Sequence, residues 1–215
     1  MKSILIIGMS RFGRHLATKL SELGNEVMIV DQNELIINKL ASDFTDAYSG
    51  DCTSENVIKE LDIKNFDVCF VTIGDNFQSS LEITALLKEN GAKHIIAKAS
   101  LDTQAKFLKQ IGADEVVYPD KDMAERIAIK TSYSNVFGYI PVNKEYAIYE
   151  TTVLPEWVDK TIEEINVRKN YHVNVVAINK SNNFVATADA NYKFEAGDHI
   201  IFIGKNADAV KLTKE

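Results

Sequence analysis

The chain has 215 residues, 46% hydrophobic and 26% charged, and its 24 Lys and Arg against 31 Asp and Glu leave a net charge of −7. This length and balance support a full apolar core and exclude collagen-like and disordered classes, while the acidic sign excludes broad nucleic-acid binding, which needs a basic field to displace phosphate counterions. The opening MKSILIIG has one Lys and an apolar run that stops at Gly8, too short for a signal-peptide core or a membrane span, so a cytosolic protein without membrane insertion is expected. Cys52 and Cys69 form no C-x-x-C pair and are too few for a disulfide framework or a cysteine-built zinc site; both read as small core residues, with a redox role as the alternative.

From Ser3 to about Ser134, short β-branched runs alternate with segments of helical period, the pattern of successive βαβ units. Strands are predicted at 4–7, 27–30, weakly at 47–48, and at 68–73, 95–97 and 116–118. Helices are predicted near 11–23, 34–42, 54–61, 77–90, 102–111 and 121–132, with Gly24, Gly91 and Gly112 following three of them, where a helix end favours positive φ. This order predicts an α/β fold, a Rossmann-type doubly wound parallel sheet. After Ser134 the texture changes: strands are predicted at 146–153, 173–179, 184–188 and 199–203, with Ser181-Asn182-Asn183 as a turn signal, a helix near 161–165 and a short one after Lys205. The expected organisation is a Rossmann domain over residues 1–134 and a second, smaller α+β domain over residues 135–215. The segment 133–144 is no long Gly/Ser linker, so the two are expected to pack together.

The first predicted strand runs into Gly8-Met9-Ser10-Arg11-Phe12-Gly13 and then a helix, and Asp31 closes the second strand 18 residues after Gly13. In a Rossmann fold Gly8 makes the tight turn, Gly13 lets the helix pack closely, and the helix N-terminus offers free N–H groups and a positive dipole end to a phosphate. Ser10 replaces the usual middle glycine, which narrows the approach to a pyrophosphate while supplying a hydroxyl. Asp31 would accept hydrogen bonds from ribose and repel a 2′-phosphate, which disfavours NADP and leaves both NAD and adenine mononucleotides. Arg11 and Arg14 sit in the first helical turn, where cations are unfavourable unless an anion is near; a solvated Arg pair is the alternative. Asp51-Cys52-Thr53, then Thr72 to Asn76, and Lys98 all fall at the carboxyl edge of the sheet, where open α/β folds bind ligands. Thr53, Asp75 and Asn76 also suit plain helix capping.

Taken together, IIGMSRFGRHLA, VDQNE, GDCTSE, VTIGDN, IIAKA and IGADEVVYPDKDMAERIA, followed by INVRKNY in a β-rich region, resemble the family of cytosolic regulatory subunits of Trk/Ktr potassium transporters over nearly the whole chain. The resemblance implies an N-terminal nucleotide-binding RCK domain (regulator of potassium conductance), a small C-terminal ligand-binding domain, and a homodimer assembled into an octameric ring docked on a membrane potassium channel or transporter subunit. It places Gly8, Ser10, Arg11, Phe12 and Gly13 around phosphates, Asp31 on ribose, Asp51, Cys52 and Ile73 near the adenosine, and Lys98 towards a phosphate. Asp120 takes the position that helps hold Mg2+ or another divalent cation at the nucleotide, with a helix N-cap as its alternative role. In the C-terminal half Ile165, Arg168, Asn174 and Val175 match positions that bind cyclic di-AMP in some of these regulators, although an Arg after a short helix also reads as a solvated charge.

On this reading ATP and ADP differ in their contacts and so act as a switch, with no enzymatic activity; ADP or NAD(H) would act differently from ATP. An NAD-dependent oxidoreductase is the main competitor, but no Tyr is followed four residues later by Lys, and His15, His94, His172 and His199 have no evident catalytic partner. A ligand-free docking scaffold is the third class. Pro155 and Trp157 are expected to serve core packing before an interface.

Overall fold

The computed structural model describes residues 1–74, 76–180, 183–185 and 189–213. Asp75, Ser181 and Asn182, and positions 186–188 of the strand predicted at 184–188, lie outside the described residues. The chain divides into two compact units, Met1–Lys121 and Asp122–Glu215.

In the first unit six strands, β1 (Ser3–Ile7), β2 (Glu26–Asp31), β3 (Asp46–Ser49), β4 (Val68–Val71), β5 (Ile95–Lys98) and β6 (Glu115–Val117), alternate with α1 (Arg11–Glu22), α2 (Glu34–Leu40), α3 (Glu55–Glu60), α4 (Phe77–Glu89) and α5 (Asp102–Ile111). All strand pairs are parallel, in the order β3-β2-β1-β4-β5-β6. Both sheet faces are covered, so the central strands read as unbroken apolar runs rather than alternating ones. Leu5, Ile7, Val30, Cys69 and Val71 enter one core cluster, while Ile4, Ile6, Val27 and Ile29 enter the other. The helices follow the expected spacing: α4 buries Ser80, Ile83, Thr84 and Leu87, and α1 lays the small residues Gly13 and Ala17 on the sheet. Gly24, Gly91 and Gly112 take positive φ at their helix ends.

The helix α6 (Pro119–Ser132) begins at a proline, whose missing N–H costs nothing in a first turn, and so starts two residues before the predicted 121–132. No residue of α6 is buried, and Met123 and Ile127 are exposed. The change of texture after Ser134 falls just past its end.

The second unit is a five-stranded antiparallel sheet of β7 (Val136–Pro141), β8 (Tyr146–Thr152), β9 (Val173–Lys180), β10 (Asn183–Val185) and β11 (His199–Lys205), in the order β10-β9-β11-β8-β7. The short helices α7 (Ile162–Ile165), α8 (Val167–Tyr171) and α9 (Asn206–Thr213) and a 3₁₀ turn at Pro155–Trp157 accompany it. Trp157, 1% exposed, is a core residue as expected, packed with Phe194 and donating its indole N–H to Tyr171 Oη at 3.0 Å. The strand β7 and the helix α8 were not predicted; β7 is an edge strand whose pairing slips between Val136 and Gly138.

Candidate functional site

The sheet order reverses between β1 and β4, and a crevice opens there beyond the carboxyl ends of the strands. Gly8 leaves β1 at φ +95, a value that costs an L side chain dearly. Its N–H donates to Val30 O on β2 at 2.8 Å, and its carbonyl accepts the hydroxyl of Thr72, the residue just after β4, at 2.5 Å. Next along, Met9 N–H donates to Asp31 Oδ2 at 2.6 Å, while Asn33 N–H holds Asp31 Oδ1 at 2.8 Å. Ser10 is the N-cap of α1, its Oγ accepting from Gly13 N–H at 3.2 Å. The amides of Ser10, Arg11 and Phe12 make no hydrogen bond among the described residues, so a row of free donors faces outwards at the helix start.

The cavity beside this loop has a volume of about 310 Å³. Of the residues singled out in the sequence, Gly8, Ser10, Asp31, Asp51, Cys52 and Ile73 line it. So do Gly74, Asn76 and Thr53, then Met9, Gln32 and Gly50 from the quoted motifs, and Ile36, Ser79 and Ile83, which no motif marked. Asn76 caps α4 by accepting from Ser79 N–H at 3.1 Å, whereas Thr53 does not cap a helix: its N–H and hydroxyl both bond Asp51 Oδ1, at 3.0 and 2.8 Å, shaping the turn after β3. Gly13 lies beneath the loop, and neither Arg11 nor Phe12 reaches the lining.

Charge supports an anion here. The helices α1 and α4 both start at the cavity and have no acid in the first turn, whereas α2, α3 and α5 carry Glu34, Glu55 and Asp102 there. Arg11 and Arg14 are exposed in the first turn of α1 and make no ion pair among the described residues. An unpaired cation at the positive end of a helix dipole is disfavoured unless an anion arrives.

Burial, with the charges of Asp51 and Asp31 adding to it, pushes the Cys52 thiol up to about 12, and burial does the same to Cys69. A buried thiol with a raised pKa is a poor nucleophile near neutral pH, which favours the reading of both cysteines as small core residues over a redox role. Because these values lie above the ordinary thiol value of 9.0, the stability they confer is complete below pH 9 and drains away as pH rises from 9 towards 12. Iodoacetamide at pH 8 is therefore expected to leave both cysteines unmodified in the native protein and to label both in urea, as mass spectrometry would read; rapid native labelling of Cys52 would refute its burial.

The TrkA-N domain model matches residues 4–119 and the TrkA-C domain model residues 148–215. The chain belongs to the TrkA-N/TrkA-C family. The Ktr system potassium uptake protein C of Bacillus subtilis (strain 168) is 36% identical over 213 residues, 99% of this chain and 96% of that protein. The Ktr system potassium uptake protein A of the same strain is 34% identical over 214 residues, 100% and 96% of the two chains. Among solved structures the GsuK RCK domain superposes with a TM-score of 0.69 at 17% identity over 99% of this chain and 47% of that one, a likeness of fold; this chain spans under half of that length.

In the TrkA-N half, Lys98 and Asp120 stand apart from the cavity lining and pair with each other, Nζ to Oδ2 at 3.2 Å, the lysine side chain 12% exposed and the carboxylate 82%. Among the described residues no three His, Cys, Asp or Glu gather to hold a metal, so Asp120 alone is an incomplete donor set for a divalent cation. In the TrkA-C half the four residues matched to cyclic di-AMP binding are not gathered on one face: Ile165 is in the core, Val175 packs against that core, Asn174 is exposed on the opposite side of β9, and Arg168 is exposed on α8. Among the described residues no helix is long and apolar enough to cross a membrane.

Proposed function

We propose that this protein is a non-enzymatic, adenine-nucleotide-sensing subunit that gates a potassium uptake system. The observation that carries the nucleotide reading is the start of α1, where the amides of Ser10, Arg11 and Phe12 make no hydrogen bond among the described residues and Ser10 lines the same cavity as the fixed Asp31 carboxylate. Phosphates would take the amides and the dipole end of α1, ribose hydroxyls would donate to Asp31, and the base would lie among Ile36, Ile73, Asp51 and Cys52. Kinship with the two Ktr potassium uptake proteins supports the transport setting.

The cavity lining supports a sensor over a dehydrogenase. No His, Lys or Tyr lines it among the described residues, the Cys52 thiol stays protonated, and the carboxylates of Asp31 and Asp51 are bound to neighbouring N–H and O–H groups. Among the described lining residues no imidazole, amine or phenol is placed to exchange a proton with a substrate. Gating requires a ligand that contacts two states differently. Arg11 and Arg14, uncommitted at the loop, would reach a third phosphate that ADP lacks. We further assign the protein to the cytoplasm, as a homodimer built into an octameric ring on the inner face of a membrane potassium channel or transporter subunit. Cyclic di-AMP would act through the TrkA-C half, and any divalent cation would be held chiefly by the phosphates, with Asp120 assisting.

Calorimetric titration of the purified protein with ATP, ADP, NADH, NADPH and cyclic di-AMP, with and without magnesium, tests this. Binding of ATP and ADP, with Arg11→Ala erasing the difference between them, is the expected result. NADH binding with no response to ATP would favour the oxidoreductase reading, and no nucleotide binding at all would leave a docking scaffold.

A further inference from the structure

The structure assigns Thr72 as a positioning residue that holds the glycine loop in its anion-receiving shape by pinning the Gly8–Met9 peptide plane from the β4 side. Thr72 does not line the cavity and is 1% exposed, so it cannot be recognised as a ligand contact. Its backbone N–H already continues the sheet by donating to Ile7 O at 2.9 Å, and its hydroxyl sits 3.2 Å from that same carbonyl but 2.5 Å from Gly8 O, the shorter and therefore dominant contact.

The two edges of one peptide unit are thus held by different strands. The Gly8 carbonyl is tied to Thr72 on the β4 side, and the Met9 amide is tied to the Asp31 carboxylate at the end of β2. A peptide plane fixed at both edges cannot rotate its carbonyl oxygen towards the cavity, where its partial negative charge would repel a phosphate. The fit extends to α1: a Cβ on Gly13 would lie 2.5 Å from the Thr72 hydroxyl and 2.3 Å from Gly8 O, so hydroxyl, carbonyl and helix backbone occupy one contact. Valine is nearly isosteric with threonine but cannot donate, and would leave the Gly8 carbonyl without its partner.

This inference rests on the nucleotide reading for its ligand but not for its structural core. Thr72→Val and Thr72→Ser would be compared with the wild type by titration with ADP, ATP and adenosine, and by amide hydrogen exchange of the loop without ligand. The expected result is a roughly tenfold weaker affinity of the valine variant for ADP and ATP, unchanged adenosine affinity and faster exchange at Met9, with serine restoring the nucleotide affinities and the exchange rate. Equal loss for adenosine and ADP would mean a general structural role and overturn the assignment, as would wild-type exchange in the valine variant. If the wild type takes up no adenine nucleotide, the proposed function fails, and the exchange comparison still decides whether Thr72 orders the loop.

Discussion

Gly13→Ala is expected to eliminate nucleotide binding and to destabilise the Met1–Lys121 unit by about 1–3 kcal/mol, the usual cost of forcing an added methyl group into a closed space. The added Cβ would meet the Gly8 carbonyl at 2.3 Å and the Thr72 hydroxyl at 2.5 Å, both held by the sheet and unable to retreat. Relief requires α1 to lift or the loop to turn, and either movement displaces the free amides. Gly74 is the internal control: its nearest neighbour to an added Cβ is Ser10 Cβ at 4.0 Å, so Gly74→Ala should melt with the wild type. Calorimetric melting of the two variants, followed by titration with ADP, checks the pair. A Gly13→Ala protein that melts and binds normally would show that the loop is softer than its hydrogen bonds imply.

Asp31→Ala is expected to weaken ATP, ADP and NADH alike by roughly a hundredfold, since it removes a charged acceptor from two backbone amides as well as from the ribose. The amides are those of Met9, at 2.6 Å, and Asn33, at 2.8 Å, so the carboxylate supports the loop and the start of α2 together. Asn at this position would present an oxygen to one amide and an NH₂ group to the other, and should be nearly as damaging. The wild type should reject NADPH more strongly than NADH through repulsion of the 2′-phosphate, and Asp31→Ala should lose that preference even as it loses affinity. Equal wild-type affinity for the two cofactors would sink the ribose assignment.

Much of the fold was legible because it is carried by local pattern. Runs such as Ile4 to Ile7 and Val27 to Val30 are apolar throughout, which only a strand covered on both faces requires, and the intervening helices bring their own caps and closing glycines. Where the pattern is weak, reading stopped short. The strand β7 contains Gly138 and ends at Pro141, lies at a sheet edge and carries a register slip, so its residues show no clean alternation. The helix α8 is five residues long and follows Asn166 in a left-handed conformation, too short for a helical period to show.

The site divides in the same way. Gly8, Ser10 and Asp31 were found because a phosphate loop advertises itself by glycine spacing and a terminal acid. Thr72 was seen only as part of the sheet rim, since the carbonyl it holds is 64 residues away in sequence. Ile36, Ser79 and Ile83 reach the cavity from helices whose periodicity reports burial without saying which side of the fold they meet. Ile165 and Val175 show the reverse: motif likeness marks them, while packing turns both towards the TrkA-C core.

The anchoring of the loop by two strands sets an order of events during synthesis. A nascent chain that has emerged only as far as α3 possesses the whole glycine motif, the acid that follows it and the β1–β2 pairing, yet it lacks β4 and with it the hydroxyl that ties down Gly8. Closing that contact means bringing together segments separated by a long crossover, a slow step compared with the growth of single helices. The first half of the TrkA-N unit therefore acquires its signature long before its competence, and a ligand present during synthesis has nothing well formed to grip until β4 docks beside β1.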